Sequence, residues 1–211
     1  MQKIKTSSLI AEIFNAITHG LAAILSIVTI VFLVRKGILL KSAEAIVAYS
    51  IYGASMFLLF MSSTLYHSFV YSKYADFFQK FDHSTIYLLI AGTYTPYLLL
   101  TIDGLLGNVL LAIIWTLAII GIFFEIITLG KYPKLSILFY LLLGWFVILI
   151  LRPLVNSLPS YGLLLLVLGG ISYSIGAIFY CIKKIEWLHV VWHVFVVAGA
   201  TFMFYSIFYY V

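Results

Sequence analysis

Charge is what this chain has least of. Only 9% of its 211 residues are Asp, Glu, Lys or Arg, where a soluble domain carries about a quarter. With 64% of residues hydrophobic, water cannot be the main solvent around the folded chain, which marks an integral membrane protein. Cysteine is almost as scarce. Cys181 stands alone, so an intramolecular disulfide and a Cys-rich zinc knuckle are both excluded. Concentrated basic charge is missing too. The formal charge of +5 is spread over short loops and termini, a pattern of membrane orientation and not of nucleic-acid binding. No internal repeat and no linker marks a second domain, so residues 1–211 read as one transmembrane domain. A cleavable leader is also not expected. "MQKIKTSSLIAEIFNAITHG" starts with lysines and then turns apolar, but Glu12, Asn15 and His19 interrupt the run and no A-x-A-like site follows.

What is present is a series of long apolar runs. A bilayer core about 30 Å thick takes roughly 20 apolar residues of helix to cross. Charge clusters and Gly, Pro and Asn punctuation cut the chain into seven such stretches, at 9–34, 45–71, 82–101, 105–129, 135–151, 161–182 and 187–211. The links between them are too short for an extramembrane domain. Period-2 alternation is lacking, and backbone groups in lipid must be satisfied within the segment, so the stretches are helices and not barrel strands. The expected fold is an all-α, seven-transmembrane helix bundle. The N-terminus and the links after the second, fourth and sixth stretches carry Lys3, Lys5, Lys73, Lys80, Lys131, Lys134, Lys183 and Lys184; the other links carry Arg35, Lys36, Lys41 and Arg152. Eight cations against four predict a cytoplasmic N-terminus and an external C-terminus.

The rare polar residues inside these stretches collect at one face. Odd stretches begin, and even ones end, at the face that carries the N-terminus. Glu12, Asn15 and His19 open the first stretch, Ser63 and His67 close the second, and Asp82 and His83 open the third. Glu125 lies near the end of the fourth, and His189 and His193 open the seventh. All five histidines therefore fall at the same membrane face. Residues four apart share a side of a helix, so His189 with His193, and Ser63 with His67, can each aim into the bundle. Ionisable groups within a membrane are costly and usually face an interior or a cavity where they act. Imidazoles from two helices, a carboxylate and no thiols suit Zn²⁺ with three protein ligands and an open fourth position. The candidate ligands are His67, His189 and His193. Asp82 is placed to hydrogen-bond a zinc-bound water and take its proton, and Ser63, one turn deeper than His67, to contact that water or a substrate carbonyl.

Plainer roles fit several of these residues. Asp82 is also a favoured residue for capping the third helix, and Ser63 can bond back to its own helix. Glu12 and His19 read first as a buried pair that fixes helix packing, with Asn15 on the same stripe. His83 points about 100° away from Asp82 and is left out of the site. Tyr205, Phe208, Tyr209 and Tyr210 read as an interfacial belt. Pro96 is expected to kink the third helix, and Gly169-Gly170 to permit close packing.

"SSTLYH" ending the second stretch, "FQKFDHSTIYLLIAGTYTPY" around the start of the third and "HVVWH" opening the seventh resemble the hemolysin III branch of the progestin and adipoQ receptor family, as does the early "EIFNAITHG". The resemblance spans nearly the whole chain, with its motifs in the expected order. It implies a seven-helix bundle, N-terminus inside, with zinc near the cytoplasmic face. Carried onto this sequence, the family's motifs fall on Ser63 and His67, on Asp82, and on His189 and His193. The related alkaline ceramidases hydrolyse a lipid amide, eukaryotic members act as receptors, and bacterial members bear the hemolysin name. The chain lacks the receptors' long N-terminal domain, so a protein hormone is not an expected ligand, and its economy points to a bacterial plasma membrane. Three functions compete. The first is a zinc-dependent hydrolase of a lipid amide or ester, and the second a non-enzymatic sensor with a structural zinc. The third, a cytolytic pore-former, ranks last because no helix carries the long polar stripe of a water-filled lumen. Membrane lipids, and no nucleic acid, are the expected partners.

Overall fold

A computed structural model describes residues 6–128, 131–182 and 184–211. Lys3, Lys5, Lys183 and the Leu129 end of the fourth expected stretch lie outside the described residues. Seven helices are long and apolar enough to cross a membrane: α1 (Ser7–Leu39), α2 (Ala43–Phe69), α3 (Ala75–Ile102), α4 (Gly104–Thr128), α5 (Pro133–Ser157), α6 (Ser160–Cys181) and α7 (Trp187–Tyr210). There is no strand among the described residues.

The boundaries show where local chemistry overrides hydropathy. α1 continues through Arg35 and Lys36 instead of stopping before them. The Lys36 ammonium reaches the last turn of α7, donating to the carbonyls of Phe208 at 2.8 Å and Ile207 at 3.2 Å. A cation thus satisfies the Phe208 carbonyl, which the helix C-terminus leaves open, and shares the Ile207 carbonyl with the Val211 N–H. α2 starts at a Ser42 cap, whose hydroxyl accepts from the Ala45 N–H at 3.1 Å. α3 begins at Ala75, seven residues before the expected start, so Asp82 lies inside the helix and does not cap it. Pro96 does not end α3 either. The helix widens into a π-helical turn over Tyr97–Ile102, closed by Asp103 N–H on the Leu98 carbonyl at 3.1 Å. Gly104, at φ +58°, supplies the left-handed residue that the tight turn into α4 requires.

α5 also departs from regular helix. It tightens to a 3₁₀ stretch over Trp145–Ile150 before resuming at Leu151, and so carries Arg152, expected in a loop, within a helix. The cause is the Tyr94 hydroxyl of α3, wedged into the α5 ladder. It donates to the Gly144 carbonyl at 2.7 Å and accepts from the Val147 N–H at 2.8 Å. A side chain inserted in this way replaces backbone bonds and breaks the helical repeat.

α1 packs on α2 and α7, α2 on α3, α3 on α4, and α6 on α7, while α5 meets its neighbours only lightly. Glycines let the backbones approach. A methyl group at Gly121 would run into the Tyr87 ring, and one at Gly169 would come within 2.8 Å of Met203. Gly170 has only the Trp145 ring near it, at 3.8 Å, so one glycine of the pair serves close helix contact. The outer surface is Leu, Ile and Val, up to 82% exposed at Leu105, as a lipid-facing wall must be. Tyr205 and Tyr209 face outward, but Phe208 lies beside Lys36 and Tyr210 packs against Gly162, which takes both out of the expected belt. α2, α3 and α7 are the most buried helices. They are the three that bear His67, Asp82 and the His189–His193 pair.

Candidate metal centre

His67 closes α2 while His189 and His193 occupy the first two turns of α7, so antiparallel packing brings them to one level. One nitrogen from each lies within 4.8 Å of the others. Donors on a tetrahedral zinc with bonds of about 2.0–2.1 Å stand ~3.4 Å apart, so a side-chain shift of the order of 1 Å would close the three rings on an ion. His67 and His193 are buried, His193 to 1% exposure.

The surrounding residues orient these rings. The Nδ1 of His67 is 2.6 Å from Glu12 Oε2, and the Nδ1 of His193 is 3.3 Å from the Asn15 backbone carbonyl. Both oxygens accept, so each Nδ1 carries the proton and each Nε2 keeps its lone pair, which is how metal-ligating histidines are usually held. The Nε2 of His67 is buried and has no hydrogen-bond partner among the described residues. An orphaned lone pair of this kind costs about 1–3 kcal/mol, and a bound cation is a natural partner for it. The residues present therefore fit a metal ion. His19 lies flat on His193, ring centroids 3.7 Å apart and 11° from parallel, with neither of its nitrogens bonded among the described residues. The expected Glu12–His19 pair is replaced by Glu12–His67, and Asn15 contributes through its carbonyl and not its amide.

Ser63 and Asp82 line the same cavity as the three histidines. The Ser63 hydroxyl neighbours the Asp82 carboxylate, one helix turn in from His67. Asp82 is not a member of the compact three-imidazole group, so it stands at its side. At the rim, Ser8 donates to Glu186 at 2.6 Å, and burial, then the Glu12 and Glu186 carboxylates, raise the Tyr71 phenol above its usual range.

His83, omitted on the sequence, also lines the cavity. Its Nδ1 is 3.5 Å from Glu125, a carboxylate only 1% exposed. Tyr140 donates to Glu125 at 3.2 Å and lies 3.1 Å from the His83 carbonyl, so this cluster ties α3, α4 and α5 together. The 100° offset that turns His83 away from Asp82 turns it toward α4. A signal was available: Glu125 sits at the same membrane face, and a buried carboxylate needs a partner.

Below the imidazoles the cavity runs on between the helices, with a volume of about 540 Å³. Leu59, Ile86, Leu89, Leu154, Leu166 and Met203 are among its walls. It is a polar mouth on a long apolar chamber.

The profile of the Haemolysin-III related family matches residues 7–204. The chain belongs to this family. It is 50% identical over 200 residues to Hemolysin-3 of Bacillus cereus, covering 95% of this chain and 91% of the relative. It is 48% identical over 199 residues to the Hemolysin-3 homolog of Bacillus subtilis (strain 168), covering 94% and 93%. The monocyte to macrophage differentiation factor of Homo sapiens is 31% identical over 163 residues, 74% of this chain and 67% of the relative. That likeness carries the relationship to the progestin and adipoQ receptor family. This haemolysin-III-related chain is thus a multi-pass membrane protein with a buried histidine group that could hold a metal ion.

Proposed function

We propose that this protein is a zinc-dependent intramembrane hydrolase of a lipid amide or ester. The observation that carries the reading is the junction of three imidazole donors, with Asp82 and Ser63 beside them, and an apolar chamber large enough for an acyl chain. Bound zinc supplies Lewis acidity and brings the pKa of water to about 7. Glu12 and the Asn15 carbonyl hold the imidazoles in the ligating tautomer. Asp82 takes the proton at a carboxylate oxygen, Ser63 orients that carboxylate, and the apolar walls bind the chain and keep bulk water out. The lysine bias adds a cytoplasmic N-terminus, which puts the polar mouth at the inner face of a plasma membrane. Membrane lipids are its substrates, and basic residues scattered over short loops and termini are not the pattern of a nucleic-acid-binding protein. The apolar chamber is unsuited to a water-filled pore.

The test is elemental mass spectrometry of detergent-purified protein, followed by assay on lipid amides and esters. About one zinc per chain is expected, lost in His67→Ala and His193→Ala. Asp82→Asn should retain zinc and lose turnover by at least about a hundredfold. Stoichiometric zinc with no lipid turned over in the wild type would instead favour a non-enzymatic sensor with structural zinc.

A further inference from the structure

Arg35 and Lys36 run against the lysine bias of the chain. They end α1 at the membrane face opposite the histidine centre, where topology gives no reason for a cation. Lys36 has a reason of its own, since it caps α7. Arg35 does not. It is exposed, and among the described residues its guanidinium makes no hydrogen bond or ion pair.

The helix sets its depth. Arg35 stands ~35 Å along α1 from Glu12 at the usual helical rise, and a hydrocarbon core is about 30 Å thick. With Glu12 at the level of the histidines, Arg35 reaches the headgroup layer of the other leaflet. Phe32, Arg35, Lys36 and Leu39 recur three and four residues apart, so they share a side of α1. With Leu40, and Phe208 of α7, they line an open groove of about 440 Å³. Phe32, one turn deeper than Arg35, is exposed, as are Leu39 and Leu40 one turn further out. Apolar surface therefore brackets the cation on both sides.

The charge in this groove is one-sided. Lys36 gives hydrogens to the carbonyls of Phe208 and Ile207, which solvate its charge without cancelling it. Among the described residues the ion pairs are His67–Glu12 and His83–Glu125, and neither includes Arg35 or Lys36. No wall of the groove is acidic. Glu44, the nearest acidic residue along the chain, lies in the first turn of α2 and outside the groove. Two cations on an apolar wall complement a ligand with an anionic head and an apolar tail. A guanidinium takes a phosphate through two parallel N–H···O bonds, and an ammonium still has its third hydrogen for another oxygen. A phosphocholine head would bring an ammonium that no carboxylate here receives.

We propose that this groove binds an anionic phospholipid, with its phosphate on Arg35 and Lys36 and an acyl chain running past Phe32. The site is separate from the histidine centre and does not depend on any lipid being turned over there.

The experiment titrates full-length protein in detergent with phosphatidylglycerol and with phosphatidylcholine of identical acyl chains, and follows bound lipid by native mass spectrometry. The variants are Arg35→Gln, Lys36→Gln and Arg152→Gln, the last removing an exposed cation at the same face but outside the groove. Wild type should hold its first phosphatidylglycerol about tenfold more tightly than phosphatidylcholine. Arg152→Gln should keep that preference, and Arg35→Gln and Lys36→Gln should lose it. If Lys36→Gln does not fold for want of its α7 cap, the exposed Arg35 decides alone. No preference in wild type overturns the site, as does a preference kept in Arg35→Gln or in folded Lys36→Gln, or an equal loss in Arg152→Gln. A dimer that Arg35→Gln disrupts also overturns it, and makes the groove a contact between two copies of the chain.

Discussion

Glu12 shows most clearly what a residue gains from its neighbours. It sits in the second turn of a membrane helix, where an unpaired carboxylate is expensive, and it spends its charge on one nitrogen of His67. That contact fixes which nitrogen of His67 is free for a metal. We therefore expect Glu12→Gln to weaken zinc binding about tenfold and Glu12→Ala up to about a hundredfold, measured by competition with a chromophoric chelator. Affinity unchanged in both variants would reduce the contact to helix packing. The three imidazoles themselves were legible, because spacing by four on α7 and the alternation of helix direction depend only on sequence. Their partners were not. Glu12 had two histidines within plausible reach, and only the way α1 lies across α2 selects His67 over His19. His83 was missed for a related reason: one helix's sequence gives the angle of a side chain but not which helix waits there.

At the scale of the element, hydropathy located all seven helices and misjudged those ends and irregularities that depend on a neighbour. α3 starts early although "ADFFQKF" is too polar to read as membrane-spanning: half-buried Phe78 stacks on Phe69 of α2 at 5.1 Å, while Phe77 faces outward. The 3₁₀ stretch of α5 has no local cause in "GWFVILI". It comes from Tyr94, fifty residues away along the chain from Gly144, and one hydroxyl there serves both a carbonyl and an N–H of the broken ladder. Tyr94→Phe removes that hydroxyl and leaves both backbone groups to find other partners, so it should lower stability by about 1–3 kcal/mol. Thermal unfolding in detergent, followed by circular dichroism, checks this. A melting temperature at or above the wild-type value would mean that α5 regularises without cost and that the wedge is incidental to its bend.

For the whole molecule, the central question is which face of the membrane receives the histidine centre. Seven spans put the two ends of the chain on opposite faces, and α2, α3 and α7 carry their polar residues to the face at which α1 begins. The lysine bias predicts that this face is cytoplasmic, although Arg35 and Lys36 oppose it from the other side. The opposition is weaker than a count suggests, since Lys36 is drawn inward to cap α7. The chain carries its own reporter of the answer. Cys181 is its only cysteine; it is exposed and ends α6 at the face of the histidine centre. A membrane-impermeant maleimide should therefore leave the protein unlabelled in intact cells and label it once the cells are opened. Asp103, in the turn between α3 and α4, lies at the opposite face. In a Cys181→Ser background, Asp103→Cys should show the reverse, reacting in intact cells. Labelling of Cys181 from outside would invert the molecule, open the histidine mouth to the exterior and require a substrate drawn from the outer leaflet.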